Sequence, residues 1–174
     1  MTTNCVSFKM IVAFCKNRGI GYQNKIPWYS KIDLRHFSKL TSGNKKNSII
    51  MGRKTWDSLP KKPLKNRVNI ILSRSKNSIN LDGFDSTYVF DSIDLIKEFC
   101  KESNFEENWI IGGHSLYNDF LNCDDLKKLH VTYIPANYTC DVFFPSIPSR
   151  FVEEEKEVVR ENNIDMEFLT YISK

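Results

Sequence analysis

The chain has little from which a metal centre, a disulfide framework or a membrane span could be built. Its five cysteines (Cys5, Cys15, Cys100, Cys123, Cys140) are odd in number, scattered and never spaced C-x-x-C. That argues against a stapled secreted scaffold and the common zinc ligand sets, and for a reducing compartment. The three histidines, His36, His114 and His130, show no ligand spacing with them, so no metal is expected. The N-terminal MTTNCVSFKMIVAFCKNRG holds only a short apolar run, broken by Lys9 and Lys16. It is too short to cross a bilayer and lacks a signal-peptide layout, so the expected location is cytoplasmic with no membrane contact. No internal repeat, low-complexity tract or linker divides the 174 residues, which predicts a single domain, 1–174, with a core large enough to need no staples.

What is present is ordinary in bulk and uneven in detail. Hydrophobic residues make up 41% and charged residues 26% of the chain, as in soluble globular proteins. The net charge of +4 is mild, but its basic residues crowd the first half: Lys45–Lys46, Arg53–Lys54, Lys61–Lys62, Lys65, Arg67 and Arg74. Glu153, Glu154 and Glu155 lie near the end. Such runs serve equally as a solvated surface or as a local anion site.

Apolar, β-branched runs read as buried strands: 8–15, 47–52, 67–73, 86–90, 108–113, 128–134 and 167–173. Helical patterns lie between several of them, over Lys31 to Thr41, Lys54 to Leu59, Ser92 to Glu102 and Ser115 to Leu121. The alternation predicts an α/β domain with a mostly parallel central sheet and helices on both faces. At the C-terminus no helix separates Leu129 to Ile134 from Glu167 to Ser173, which suggests an antiparallel edge strand, with the intervening charged VEEEKEVV unassigned.

Ligands of open α/β sheets bind beyond the carboxyl ends of the strands, and three strand ends here favour anions. Gly52 is followed by Arg53, Lys54 and Thr55 at a helix start; Ser73-Arg74 ends the next strand; Gly112-Gly113 precedes His114-Ser115-Leu116-Tyr117. Backbone N–H groups and the helix dipole add to the cations at such sites. The glycine pair is neither G-x-G-x-x-G nor a P-loop. Each junction alone could be an ordinary turn; together they suggest a nucleotide with several phosphates.

Asp33 is the odd residue. It shares a helical stripe with Phe37 and Leu40, at i, i+4 and i+7. A carboxylate on an apolar stripe is expensive unless it finds a partner or a proton. Ser30-Lys31-Ile32-Asp33 also has the form of a capping box, which would explain the acid without function. The surrounding Trp28, Ile32 and Phe37 suggest instead a slot for a flat, amidine-like heterocycle, with the carboxylate accepting two parallel N–H bonds.

In order along the chain, IVAF (11–14), GIG (19–21), IPW (26–28), Asp33 with Phe37, IIMGRKTWDSLP (49–60), PLKNRVNIILSR (63–74), IIGGHSLY (110–117), HVTYI (130–134) and DVFFP (141–145) resemble dihydrofolate reductase. The resemblance implies that family's fold and its reaction: hydride passes from NADPH to C6 of 7,8-dihydrofolate, and the tetrahydrofolate formed supplies one-carbon carriers for thymidylate, purine and amino-acid synthesis. It implies catalytic roles for Asp33, Trp28 and Thr132, with Asp33 holding the pterin's 2-amino group and ring N–H. It implies a substrate pocket of Val12, Ile32, Phe37, Leu59, Leu64 and Ile111, with Arg67 on the glutamate tail's carboxylate and Ile26 on a mobile loop from Cys15 to Trp28. For the cofactor it implies Ala13, Ile20 and Gly21 around the nicotinamide and Gly52, Arg53, Lys54, Thr55, Ser73 and Arg74 around the phosphates. Ile111, Gly112, Gly113, His114, Ser115, Leu116 and Tyr117 would meet the cofactor's spine, with a cis Gly-Gly peptide. Crowded cations favour NADPH over NADH. A monomer that binds antifolates and needs no nucleic acid is the implied state. Two positions depart from the family: His114, where many members have a small residue, and Tyr29, where many have Pro or Asn. Rival readings are a pyrimidine reductase of riboflavin synthesis, on a similar fold, and a basic domain binding RNA or DNA.

Overall fold

A computed structural model of the chain describes residues 5–44 and 46–174; Lys45 of the basic cluster and residues 1–4 of the N-terminal run lie outside them. Five parallel strands follow the chain's apolar runs: β1 (Phe8–Cys15), β3 (Ser48–Gly52), β4 (Val68–Leu72), β5 (Thr87–Phe90) and β6 (Asn108–Ile110). β7 (Leu126–Ile134) adds a sixth parallel strand, and β9 (Phe151–Glu161) and β10 (Ile164–Ser173) complete the sheet antiparallel. The order is β5-β4-β3-β6-β1-β7-β10-β9. A separate two-stranded pair joins β2 (Gly19–Gly21) to β8 (Val142–Phe143).

Four helices cover the sheet: α1 (Lys31–Ser42), α2 (Arg53–Ser58), α3 (Ile93–Ser103) and α4 (His114–Leu121). Period-2 alternation sorts the strand side chains between two cores. Phe8, Met10, Val12, Ile50, Ile70 and Ile110 pack beneath α3 and α4, with Ile96, Phe120 and Leu121. Ile49, Met51 and Ile71 point the other way, packing with Trp56 of α2 and Phe37 of α1. Helices therefore lie on both faces, and strands buried on both sides read as unbroken apolar runs because each face needs its own hydrophobic set.

Most element ends differ from the sequence reading by a residue or so, β10 begins at Ile164 where Glu167 was predicted, and three further differences bear on the site or the edge. The strand predicted over 108–113 ends at Ile110, since Gly112, at φ 119°, leaves the extended conformation; the Gly112–Gly113 peptide is cis. β7 begins two residues before the predicted Lys128. β10 pairs with β7 as expected, but the outermost strand is β9, in the charged segment left unassigned. β9 is exposed on both faces over most of its length, so it carries no apolar alternation, and charges on such an edge block edge-to-edge pairing. A usable signal was Asn162-Asn163, both at positive φ (52° and 62°), the geometry of a tight hairpin turn.

Beneath α1 the sheet carries a polar row. Lys9 is ion-paired with Glu107, whose other oxygen accepts from Trp109 Nε1 at 2.9 Å. His130 packs against Trp109 at 5.2 Å between ring centroids. Burial, then Lys9, His36 and Lys128, push the His130 imidazole down to about 4. The folded state thus holds His130 neutral where the unfolded chain would bind a proton, so stability is full above the ordinary 6.5 and falls as pH drops towards 4. Thermal melts across that window should show the midpoint falling with acid, and His130→Gln should flatten the slope; an unchanged slope would place the acid sensitivity elsewhere.

Candidate functional site

The site forms where α1 crosses the carboxyl ends of the central strands. Ser30 is the N-cap of α1, its hydroxyl accepting from Asp33 N at 3.0 Å. Glu161, at the end of β9, accepts from Lys31 N at 2.9 Å, so a residue 130 positions away in sequence also caps this helix. The Ser30 hydroxyl and the Lys31 and Ile32 N–H groups hold the Glu161 carboxyl below its usual range. Sequence reasoning missed Glu161, since nothing local marks a cap supplied from another strand.

A full capping box would turn the Asp33 carboxylate back to the Ser30 N–H. Among the described residues no such bond is present. Asp33 Oδ1 instead accepts from Thr132 Oγ1 at 2.7 Å, so the carboxylate faces the sheet. Burial raises the Asp33 carboxyl above its usual range and Glu161 adds to this, while the Thr132 hydrogen bond and His36 oppose it. His36, one turn along, stacks on Phe168 at 3.8 Å and 5°.

β1 supplies the floor. Ala13 is in register with Thr132 and so shares its face, as Ile11 does beside His130. Val12, expected in the pocket, lies in the core beneath α3 and α4, on the opposite face from Asp33. Ile11, one residue earlier, shares the face of His130 and Thr132 that α1 covers, because side chains alternate along the strand. Phe37, Leu59, Leu64 and Ile111 come together against Trp56 and Met51 as one partly buried wall. Arg67 ends that wall, its guanidinium 5.9 Å from the Phe37 ring centroid and donating to Thr41 Oγ1 at 2.8 Å. It forms no salt bridge among the described residues, and burial lowers its pKa. Trp28 packs against Tyr138 at 5.5 Å, while Ile26 and Tyr29 face solvent, Tyr29 at 69% exposure. Ile32 is half-buried, its N–H lying 3.4 Å from Glu161 Oε1.

The second half of the site lies where β3 and β6 end side by side. Gly52 N donates to Gly112 O at 2.8 Å, which brings the starts of α2 and α4 together. Both helices begin at a glycine, and neither has a side-chain cap, so their first N–H groups remain available to an anion. Gly112 sits at φ 119°, and a Cβ there would lie 3.1 Å from Tyr117 Oη. Thr55 Oγ1 would lie 3.6 Å from a Cβ at Gly113, placing that hydroxyl across the same gap. His114 and Ser115 are exposed on the first turn of α4, whereas the Leu116 and Tyr117 side chains are buried in the core. Only the backbone of those two could meet a ligand. Ile20 packs, partly buried, on the α4-side core, and Gly21 pairs with Val142.

The cations are divided among several tasks. Arg53 Nε donates to Asp57 at 2.8 Å and its Nη1 to Ser78 Oγ at 2.6 Å, bridging α2 to the turn after β4. Arg74 is exposed and lines an open groove with Ser75, Lys76, Asn77, Ser78 and Asp91. Ser73 Oγ accepts from Ser75 N at 3.3 Å. Lys54 is exposed; Lys62 donates to Trp56 O at 3.0 Å and so serves the fold. Ser75, Lys76 and Ser78 were missed because the turn that gathers them has no motif of its own. His114 Nδ1 is 2.7 Å from Phe143 O and must donate, since a carbonyl only accepts. This contact ties α4 to β8. Among the described residues no cluster of ligands suited to a metal occurs, and no helix is long and apolar enough to cross a membrane.

Tyr117 Oη lies 2.9 Å from Ile11 O and 2.8 Å from Ile111 O, bridging β1 to the turn before the glycine pair. Tyr117→Phe should lower the urea-unfolding free energy by about 1–3 kcal/mol, since buried carbonyls lose their donor. A change near zero would mean the bridge is replaced by water.

Comparison with known proteins agrees with this geometry. Residues 7–173 match the family model described as dihydrofolate reductase. A dihydrofolate reductase of Heliothis virescens is 35% identical, covering 95% of this chain and 97% of its own length. One from Drosophila melanogaster is 34% identical over 92% of this chain and 94% of its own length. The bifunctional dihydrofolate reductase-thymidylate synthase of Paramecium tetraurelia is 37% identical across 100% of this chain, which spans 36% of that protein. With both the family model and these relatives extending over nearly all of its residues, the chain belongs to the dihydrofolate reductase family of oxidoreductases.

Proposed function

We propose that the chain reduces 7,8-dihydrofolate to tetrahydrofolate with NADPH as the hydride donor. The observation that carries this reading is Asp33: a carboxylate turned into the cleft, fixed by Thr132 at 2.7 Å, with its second oxygen unpartnered among the described residues. Two oxygens so placed suit a 2-amino group and an adjacent ring N–H, a bidentate pair that also sets the ring's orientation. Burial keeps the carboxyl's proton affinity high, and holding the ring by these N–H groups favours protonation of the pterin N5. The proton itself comes from solvent, near Trp28. Phe37, Leu59, Leu64 and Ile111 supply an apolar wall for the benzoyl ring. Arg67, half-buried and without an acid among the described residues, suits the carboxylate of the glutamate tail.

Bound NADPH would supply the hydride at C6. The residues present fit it: two uncapped helix starts and the glycine pair for the pyrophosphate, and the Arg74–Ser78 groove for an extra phosphate on the adenosine side. The chain's contribution is therefore orientation, exclusion of water and fixed charge. The free thiols fit a cytoplasmic enzyme, and we infer that it acts as a monomer and takes antifolates on Asp33.

Following NADPH absorbance with and without dihydrofolate tests the proposal directly; turnover only with a ribosylamino-pyrimidine would select the riboflavin-pathway reading. Asp33→Asn should lower turnover by about 100-fold or more while leaving NADPH affinity nearly intact. It should also raise the melting temperature at neutral pH. Because the folded value lies above 3.8, stability from Asp33 is full below 3.8 and lost as pH rises through the folded value, and Asn carries no such cost. Retained turnover would reduce Asp33 to a structural residue. Arg53→Ala with Arg74→Ala should weaken NADPH binding by about tenfold or more, roughly 1.4 kcal/mol, and NADH binding less, as read by quenching of tryptophan fluorescence; equal losses would assign these cations another task.

A further inference from the structure

Cys15 ends β1 and Cys140 stands two residues before β8, yet their sulfurs are 3.8 Å apart. Cys15 is buried and Cys140 half-exposed. Gly19 lies against both: a Cβ there would be 2.9 Å from Cys15 Sγ and would collide with Cys140 Sγ. The pair therefore sits beneath the first turn of the segment that runs from Cys15 to Trp28. The 136–144 segment holds that same stretch by backbone bonds, Lys16 N to Ala136 O at 3.1 Å, Asp141 N to Gly21 O at 2.9 Å and Phe144 N to Arg18 O at 2.7 Å. Phe143 O then accepts from His114 at the start of α4. Whatever fixes Cys140 to Cys15 thus fixes the contact between the segment leading to Trp28 and the glycine-pair turn.

We propose that Cys15 and Cys140 form a reversible disulfide site, closed by exchange with a low-molecular-weight disulfide, that locks the β2–β8 contact and slows turnover. The half-exposed Cys140 thiolate attacks the small disulfide, forming a mixed disulfide and releasing one small thiol. The Cys15 thiolate then attacks the Cys140 sulfur and displaces the second. Two protein thiols lose two electrons and two protons, and the small disulfide becomes two thiols. Bonded sulfurs are about 2.0 Å apart, so closure draws the pair together by roughly 1.8 Å. Because Gly19 leaves no side chain between them, the movement falls on the 135–141 loop and on Gly19. A reducing compartment keeps the site open, and oxidation closes it. The bond forms or fails whatever the cleft binds; only its effect on turnover rests on the reductase reading.

The test uses the full chain carrying Cys5→Ser and Cys123→Ser, which removes the two other accessible thiols. After incubation with oxidised glutathione at mildly alkaline pH, intact mass should fall by two hydrogens and a non-reducing peptide map should show Cys15 joined to Cys140. Limited proteolysis within 16–28 should slow, and turnover should fall by about threefold or more. Dithiothreitol should reverse every change, and Cys140→Ser should prevent them all. A glutathione adduct that persists on Cys140 without release, or both thiols remaining open to alkylation, overturns the proposal. So does a formed bond that leaves proteolysis and turnover unchanged, or equal inhibition of the Cys140→Ser protein. If the chain has no reductase activity, the mass, map and proteolysis arms still decide whether the bond forms and locks the segment.

Discussion

Thr132 and Asp33 are 99 positions apart, and the 2.7 Å hydrogen bond between them ties α1 to the carboxyl-terminal end of β7. That contact decides which way the carboxylate faces. Ser30 and Glu161 cap the helix, so its first turn is satisfied without Asp33. The acid is thereby left for the cleft. Its partial burial has a price in stability, set against what an oriented, poorly hydrated carboxylate can do to a flat N–H-bearing ring. Glu161 acts twice here: it supports the helix start and, as a nearby negative charge, helps keep the Asp33 carboxyl raised.

The same division of labour runs through the cofactor side. Parallel strands end together, so β3 and β6 place Gly52 beside Gly112, and two helix starts converge where one alone would be an ordinary turn. Tyr117 braces this junction from below, reaching both β1 and the turn that follows β6. His114 ties its outer side to β8. The cations above it are held apart by acids and hydroxyls: Arg53 between Asp57 and Ser78, Lys76 on Asp91. Such pairing keeps each guanidinium or ammonium in place while leaving the groove positive.

Much of this was readable from the chain. Continuous apolar runs marked the two-sided strands, and Ser30 was legible as the cap of α1, whereas Ser92, read as the first helical residue, is the N-cap of α3. Asp33 stood out because an acid on an apolar stripe demands a reason. Val12 was misplaced because a run such as MIVAF is apolar on both sides; without a neighbour in register, nothing says which residues face the cleft. β9 was unreadable for the opposite reason, since an edge strand exposed over most of its length carries no hydrophobic signature.

What the amino-acid order determined by itself was local: where the backbone is extended or helical, which turns need glycine, the Ser30 cap of α1, and an acid, Asp33, set on an apolar stripe. These follow from contacts within a few residues, where propensity and capping act. Which face each strand turns to the cleft, the cap from Glu161, the bond from Thr132, the lack of an acid on Arg67 among the described residues, and the meeting of Cys15 with Cys140 depended on tertiary structure alone. Each joins residues far apart in the chain, and only the register of the assembled sheet brings such groups within hydrogen-bonding or bonding range.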